Sequence, residues 1–263
     1  MKKNEKLTPK NFLKRVSEKK IKVNKDSDGN YLKYLSIENL YDKKENSEYY
    51  HDLRLLLNST SSCEISDALS SLTNNNGVLK GLKNINGLKA YGEVITVETP
   101  SNDWGTSVLA IDKAKKGEVI LIKAYPKNNS DDYDLRKSKP AAVWGELTSL
   151  AAKNKKITGT FVLGYIRDVD NLIELDYPVF AFDVCPNAGS ALGHGTINGS
   201  ISSNHSHINP GDFIFGDKNG VVLIPKGLFE IVMKKVIAIK TNERNIYNHL
   251  EKGKSLSEII GLK

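Results

Sequence analysis

The sequence feature that most constrains the fold is a short apolar run, 160–163, which stands between two glycines and is rich in β-forming residues. Runs of this kind are typical of buried strands. Ahead of it, Leu147, Leu150 and Ala151 recur at the spacing of an amphipathic helix that ends at about Lys153. Because comparable apolar runs alternate with helical patterns along the chain, we predict an α/β fold.

The remaining predicted elements follow the same alternation. Helices are predicted from Asp52, at 65–72 after a Ser61 or Ser62 N-cap, and at 107–114, 169–175, 228–250 and 256–260. Strands are predicted at 87–99, 119–122, 159–163 (ending at Gly164) and 177–184, with a hairpin at 213–225 that turns at an Asn-Gly pair. The long C-terminal helix is expected to bury Ile231, Val232, Val236 and Ile239, with Met233 in a core or an interface.

Charged residues gather where the predicted helix begins and the predicted strand ends. Glu146 lies in the first helical turn, where the helix dipole stabilises a carboxylate, and Gly145 before it allows close backbone approach. Arg167 and Asp168 follow the strand, and ligand sites in α/β sheets lie beyond the carboxyl ends of strands. The alternative is structural: Asp168 as a helix N-cap, Arg167 as a surface cation and Glu146 as an acid that complements the dipole.

Length and composition set broad limits. With 263 residues, 39% hydrophobic and 26% charged, the chain is long enough for one large domain or for a domain with an extension. It has no apolar run of about 18 residues that would predict a membrane span, and the first residues lack the apolar stretch of a signal peptide. Its two cysteines, Cys63 and Cys185, provide no disulfide framework and are typical of a cytoplasmic protein, with a single bridge between them as the alternative.

Residues 1–50 differ from the rest in charge. Thirteen lysines and arginines stand against eight acids there, a net charge of +5 out of +7 for the whole chain. We interpret this part as a basic N-terminal extension of a domain that spans residues 51–263. Basic charge of this kind either attracts nucleic acid or an anionic surface, or forms a solvated face. Because no nucleic-acid-binding motif and no zinc-ligand spacing accompany it, we favour the solvated face and expect no nucleic-acid partner.

Two polar segments leave alternatives open. His194, His205 and His207 lie in a segment rich in Gly, Ser and Asn, 187–209. A His-x-His pair on a strand directs both rings to one side and can bind a metal, whereas the alternative is a polar loop or edge strand. The charged segment 125–139 is interpreted as a solvated connection near the site rather than a metal-binding loop.

The order of several short motifs resembles one known family. Ala142-Val143-Trp144-Gly145-Glu146-Leu147, Gly164-x-x-Arg167-Asp168 and Pro178-Val179-Phe180-Ala181 resemble segments of the regulator of ribonuclease activity A (RraA) and of the class II 4-hydroxy-4-methyl-2-oxoglutarate aldolases. Further matches are Ile65-Ser66-Asp67-Ala68-Leu69, Lys116-Gly117-Glu118-Val119 and the closing segment 210–225. The similarity covers residues 55–260 and departs at Lys123, where the family commonly has an acid, and in the polar segment 202–207.

The resemblance implies a fold and an activity. The fold is a β/β/α three-layer, swivelling-type domain with C-terminal helices, assembled as a homo-oligomer, either a trimer or a hexamer. The activity is that of a metal-dependent aldolase that releases pyruvate from 4-hydroxy-4-methyl-2-oxoglutarate or a related 2-oxo acid through a metal-stabilised enolate. The same chemistry permits oxaloacetate decarboxylation.

The resemblance also assigns site residues. Asp168 would anchor Mg²⁺ or Mn²⁺, mostly through waters, and Glu146 would orient or deprotonate a metal-bound water. Arg167 would hold the substrate carboxylate through bidentate hydrogen bonds. It would be helped by the backbone N–H groups at the helix start, those of Gly145, Glu146, Leu147 and Thr148.

Asp168 also separates two functions within the family. The ribonuclease-binding regulators lack an acid after the arginine, so its presence favours an enzyme. The alternative is a non-catalytic regulator that binds an RNA-processing partner, for which the basic extension is the support. Menaquinone methyl transfer is a third family label, but the chain has no glycine-rich cofactor fingerprint of a methyltransferase.

Overall fold

The computed structural model describes residues 48–125, 141–203 and 206–262, with side chains from Leu53 onward. Most of the predicted basic extension, residues 1–47, lies outside the described residues, as does nearly all of the charged segment, 126–140. His205 lies outside them as well, so the predicted His-x-His pair stays a prediction. The division into an extension and a domain at residue 50 also stays a prediction.

Over residues 90–184, helices lie between the strands in the alternation that was predicted, whereas the described residues of 196–224 contain strands without a helix between them. The helices are α1 (Glu48–Ser59), α2 (Ser62–Thr73), α3 (Gly105–Lys113), α4 (Glu146–Asn154), α5 (Val169–Glu174), α6 (Phe229–Glu251) and α7 (Leu256–Ile259). The strands are β1 (Lys83–Asn84), β2 (Ala90–Pro100), β3 (Val119–Tyr125), β4 (Ala142–Trp144), β5 (Gly159–Ile166), β6 (Val179–Val184), β7 (Thr196–Ile197), β8 (Ile201–Ser203), β9 (Ser206–Ile208), β10 (Phe213–Gly216) and β11 (Val221–Ile224). Within these ranges, the helices lack the combination of length and apolarity needed to cross a bilayer.

One curled sheet organises the domain. Its strands lie in the order β1-β6-β5-β3-β2-β10-β11, with β4 beside β5 and β7 beside β2, while β8 and β9 form a separate hairpin. The central strands β2, β3, β5 and β6 run parallel, and β10 and β11 add to them antiparallel. Because β4 and β5 are also parallel, the chain segments that follow these two strands meet at one edge of the sheet.

The parallel strands are mostly apolar, because both faces of the sheet are covered over most of their length. On one face, Ile120, Ile122 and Val162 pack in a cluster with residues of α3 and α4. On the other face, Leu121 and Phe161 share a cluster with residues of β10 and β11, so the curled sheet packs against itself. These layers confirm the predicted β/β/α arrangement.

A third apolar cluster joins α1, α2 and α6 to the β10–β11 hairpin. Helix α2 begins at the predicted place, because Ser61 forms a capping box with Glu64. Lys240 of α6 lies 2.6 Å from the Glu64 carboxylate and joins the two helices. Met233 is buried as predicted, but Ile231 is 49% exposed, so its predicted place on the buried face of α6 is wrong.

Helix α4 buries a different face from the one predicted. Leu147 and Leu150 are 74% and 41% exposed, whereas Ser149 and Ala152 are buried. The indole N–H of Trp144 donates to the Ser149 hydroxyl at 2.7 Å, and the small side chains let the helix approach the sheet closely. The leucine stripe therefore faces solvent in the single chain.

The prediction that the strand ends at Gly164 is wrong, because β5 continues to Ile166. A Cβ at position 164 would lie 2.8 Å from the Cβ of Ala124 on the neighbouring strand. The glycine is therefore used for close packing between strands and does not end the strand. As a result, Arg167 directly follows β5.

Candidate functional site

The unit formed by β4, α4 and β5 brings the candidate site together. Strand β4 ends at Trp144 and leads through Gly145 into α4, while β5 ends at Ile166. The backbone N–H of Arg167 donates to the carbonyl of Trp144 at 3.1 Å. This bond fixes the start of α4 beside the segment that follows β5.

Asp168 turns its side chain toward α4. It occupies the N-cap position of α5 in a left-handed conformation, with φ of 63°, yet its carboxylate makes no capping bond there. Instead, Oδ2 accepts the backbone N–H of Glu146 at 3.1 Å. Asp168 is therefore the N-cap residue by position, as the structural alternative predicted, but its side chain does not cap α5.

Gly145 makes room for this arrangement. A Cβ at position 145 would lie 2.6 Å from Oδ2 of Asp168 and 3.1 Å from Cγ of Arg167. Because a carbon and an oxygen do not approach to 2.6 Å without a bond between them, a side chain here would displace the carboxylate. The glycine is thus required by close contact.

Arg167 contacts Asp168 through one nitrogen of its guanidinium group. Its Nε lies 3.4 Å from Oδ2 of Asp168, and the two side chains are 42% and 34% exposed. An ion pair with this exposure contributes little to stability, typically about 0–1 kcal/mol. Since Nε makes this contact, the two Nη groups retain the geometry for a bidentate bond to a carboxylate.

Two of the backbone donors at the start of α4, those of Gly145 and Glu146, are bound by nearby side chains. Thr148 and Gly145 exchange two hydrogen bonds, so the N–H of Gly145 is taken up by the Thr148 hydroxyl at 3.0 Å. The N–H of Glu146 is bound to Asp168, as described above. The N–H groups of Leu147 and Thr148 take part in neither arrangement, and they belong to the helical turn that lacks internal acceptors.

Glu146 is held by a residue that the sequence did not point to. The side-chain amide of Asn171, on α5, donates to Oε2 of Glu146 at 2.8 Å. This bond orients the carboxylate, whose other oxygen remains for a ligand or a water. Glu146 is therefore placed to accept a proton close to Arg167 and Asp168.

These residues line one cleft with about 440 Å³ of empty space, which includes open solvent. Its charged and polar part consists of Glu146, Thr148, Arg167 and Asp168. The apolar part is formed by Trp104, Ala142, Val143, Trp144, Leu147 and Ala188. All five residues predicted for the substrate site, together with the predicted metal anchor, thus lie on a single cleft.

The loop that supplies Ala188 is fixed by Asp103, which sequence reasoning missed. This fully buried carboxylate accepts the backbone N–H groups of Gly105, Leu192, Gly193 and His194 at 2.7–3.0 Å. Burial alone would raise its pKa, but the hydrogen bonds favour the ionised form and hold the pKa below its usual value. The available signal was an aspartate four residues before a predicted helix, and three of its partners lie about 90 residues further along the chain.

The donor set fits a cation that keeps most of its water ligands. Across 48–125, 141–203 and 206–262, no group of three or more His, Cys, Asp or Glu side chains could enclose a metal ion. The cleft does provide the carboxylates of Glu146 and Asp168, and Oδ1 of Asp168 is not used in the bonds described above. One or two carboxylate oxygens suit Mg²⁺ or Mn²⁺ with a partial hydration shell and do not suit an ion bound wholly by protein.

Other residues singled out in the sequence lie apart from this cleft. Lys123 forms an ion pair with Glu98 across β2 and β3, with Nζ and Oε1 2.8 Å apart. His207, on β9, places Nδ1 3.3 Å from the Ser202 hydroxyl, and it belongs to the hairpin that the sequence showed as a polar segment. The backbone of His194 is part of the loop fixed by Asp103.

Known proteins share this sequence pattern. The RraA-like family model, described as Aldolase/RraA, matches residues 62–223. An uncharacterized protein of Methanocaldococcus jannaschii is 36% identical over 191 residues, which cover 70% of this chain and 87% of that protein. A Halalkalibacterium halodurans protein with the provisional name 4-hydroxy-4-methyl-2-oxoglutarate aldolase is 34% identical over 171 residues, 65% of this chain and 75% of that protein.

The fold is also found among solved structures. The RNA-processing inhibitor RraA from Thermus thermophilis is similar with a TM-score of 0.52 over 61% of this chain and 92% of that one. The identity is 21%, so this similarity concerns the fold alone. The fold agrees with the sequence matches, and the chain belongs to the RraA-like family (Aldolase/RraA).

Proposed function

We propose that this protein is a divalent-metal-dependent aldolase that cleaves 4-hydroxy-2-oxo acids, of the 4-hydroxy-4-methyl-2-oxoglutarate type, to pyruvate and a carbonyl compound. Decarboxylation of oxaloacetate to pyruvate is the related activity. The observation that carries the proposal is the joint position of Arg167, Asp168 and the first turn of α4 on one cleft. In this proposal, Arg167 binds a carboxylate, Asp168 anchors a cation and Glu146 is the carboxylate base.

In this proposal, Arg167 binds the carboxylate of the substrate. The Nη groups of Arg167 can bind it bidentately, and the N–H groups of Leu147 and Thr148 lie at the positive end of the helix dipole. A charge-assisted contact of this kind contributes about 1.5–3 kcal/mol. It orients the 2-oxo acid with respect to Glu146 and Asp168.

In this proposal, Glu146 accepts and returns the proton that moves during cleavage. Cleavage requires that the C4 hydroxyl lose its proton while the C3–C4 bond breaks, with the bonding electrons passing to C3 and the C2 carbonyl. Glu146 can take this proton directly or through one water, and C3 is then protonated to give pyruvate. The hydrogen bond from Asn171 keeps the Glu146 carboxylate in one orientation during both transfers.

Asp168 would hold Mg²⁺ or Mn²⁺ through Oδ1, with water as most of the remaining ligands. When bound, such a cation stabilises negative charge on the C2 oxygen of the substrate. Asp168 thereby has two roles, because its Oδ2 also fixes the start of α4. A cytoplasmic location and a homo-oligomeric assembly, a trimer or hexamer, belong to this proposal as well.

The test is pyruvate release by the purified full-length chain. The substrates are 4-hydroxy-4-methyl-2-oxoglutarate, a series of other 4-hydroxy-2-oxo acids and oxaloacetate, each with Mg²⁺, with Mn²⁺ and with excess chelator. Free cations accelerate oxaloacetate decarboxylation, so each rate is corrected with a protein-free blank. We expect turnover that the chelator abolishes and that added Mg²⁺ restores.

Absence of turnover with every substrate and cation would contradict the enzyme assignment. That result would favour the alternative of a non-catalytic regulator. The next measurement would be a search for a protein or RNA partner of residues 1–50. Turnover that persists in chelator would contradict the role of Asp168 as a cation anchor but leave the aldolase assignment standing.

A further inference from the structure

The cleft has an apolar wall built around Trp104. This residue lines the same cleft as Arg167 and Asp168, and its backbone N–H donates to the carbonyl of Ser190 at 3.0 Å. The indole N–H donates to the carbonyl of Gly189 at 3.2 Å. Because the polar atom of the indole is already bound, the ring offers carbon atoms to the cleft.

The wall extends beyond Trp104 to two alanines. Ala188 lies next to Gly189, and it forms a parallel β-bridge with Ala142, the first residue of β4. Both alanines line the cleft together with Trp104. Trp104, Ala142 and Ala188 are apolar residues that line the same cleft, and they are called here the Trp104 wall.

Close backbone contacts hold the loop that carries Ala188 against the segment that carries Trp104. A Cβ at Gly189 would lie 2.2 Å from the carbonyl oxygen of Asn102, and a Cβ at Gly105 would lie 2.6 Å from the backbone nitrogen of Gly193. Asp103 adds its bonds to the N–H groups of 192–194. A surface held in this way is preorganised for one shape of ligand.

We infer that the Trp104 wall binds the part of the substrate beyond C3, and that the substrates are 4-hydroxy-2-oxo monocarboxylic acids with an alkyl or aryl group on C4. This inference rests on the proposed function and goes further by naming the substrate class. A second carboxylate against the wall would lose water without gaining a hydrogen-bond donor from the indole, whereas an apolar group gains from burial. The dicarboxylate in the provisional name of the relative is therefore not the preferred substrate of this chain.

The experiment measures binding rather than turnover. The full chain, with saturating Mg²⁺, is titrated by calorimetry with pyruvate, 2-oxobutanoate, 2-oxopentanoate and 2-oxohexanoate, and with the dicarboxylate 2-oxoglutarate. Burial of one methylene group favours binding about fourfold, so we expect a rise of about two- to fourfold per added group. We also expect 2-oxohexanoate to bind more tightly than 2-oxoglutarate.

Substitutions at Trp104 test whether the gain in affinity for longer 2-oxo acids arises from contact with the Trp104 wall. Trp104→Ala should reduce the affinity gain from pyruvate to 2-oxohexanoate by at least half on a logarithmic scale, whereas Trp104→Phe should retain most of it. Tyr247→Ala is the matched control, because this aromatic residue of α6 is 61% exposed and does not line the cleft. Thermal unfolding of each variant checks that it is folded.

The outcomes separate this inference from the proposed function. No binding of any 2-oxo acid would overturn both. Binding of pyruvate without a gain for longer acids, an equal gain in Trp104→Ala and Tyr247→Ala, or tighter binding of 2-oxoglutarate would overturn the Trp104 wall alone. The comparison of 2-oxohexanoate with 2-oxoglutarate uses the unmodified protein, so it decides the question even if Trp104→Ala does not fold.

Discussion

Replacing Gly145 with alanine should disturb the site while the fold persists. The new Cβ would lie 2.6 Å from Oδ2 of Asp168, and ordinary contact begins at 3.4 Å, so the carboxylate must move by about 0.8 Å. The bond from the N–H of Glu146, now 3.1 Å long, would then exceed hydrogen-bonding distance. A hydrogen bond to a charged group contributes about 1.5–3 kcal/mol, and the partial exposure of Asp168 places this one at the lower end.

The expected result for Gly145→Ala is a loss of about 1.5 kcal/mol in the free energy of unfolding and a decrease of about tenfold or more in kcat/KM. Urea titration measures the first and pyruvate release the second. Gly227→Ala is the matched control, because a Cβ at position 227 would meet no atom within 4 Å. If Gly145→Ala and Gly227→Ala have the same stability and the same activity, the close contact does not support the site.

Three further substitutions test individual contacts. Arg167→Ala should lower kcat/KM for 2-oxo acids about 10- to 150-fold, since a bidentate charge-assisted contact is lost; unchanged steady-state kinetics would exclude its role. Asp168→Asn should raise the Mg²⁺ concentration needed for half-maximal activity, whereas Asp170→Asn, which removes an equal charge from an exposed neighbour, should not. Equal metal dependence in these two variants would contradict the assigned anchor. The lowered pKa of Asp103 means that its ionised form stabilises the fold above the unfolded pKa of about 3.9, and that this contribution is lost as the pH falls through the lower folded value. Asp103→Asn should therefore reduce the free energy of unfolding at pH 7 and flatten its decrease below about pH 4, as measured by urea titration across pH; an unchanged acid limb would refute this.

Much of the fold could be predicted because its signals are local. The capping box of Ser61 and Glu64, the β10–β11 hairpin and the buried run in β5 each depend on residues within a few positions of one another. The order of Glu146, Arg167 and Asp168 also identified the edge of the sheet where a cleft forms. These features follow from helical and strand periodicity and from turn chemistry, which a sequence displays directly.

The face that α4 buries could not be predicted in the same way. Leu147 and Leu150 carry the stronger apolar signal, but the contact between Trp144 and Ser149 decides how the helix lies on the sheet. Periodicity reports which residues share a face and does not report which face another layer covers. A helix face with small side chains can be the buried one, because small side chains permit close approach between the backbones of the helix and the sheet.

The sequence by itself determined the family, the order of the elements and the residues that could carry the chemistry. Only the tertiary structure decided how those residues are used: Asp168 turns from α5 to the start of α4, and Asp103 fixes a loop about 90 residues further along the chain. It also decided that Trp104 lies on the cleft of Arg167. The physical reason is that these contacts depend on which strands lie side by side in the curled sheet, and strand order is set by packing of the whole domain rather than by neighbouring residues.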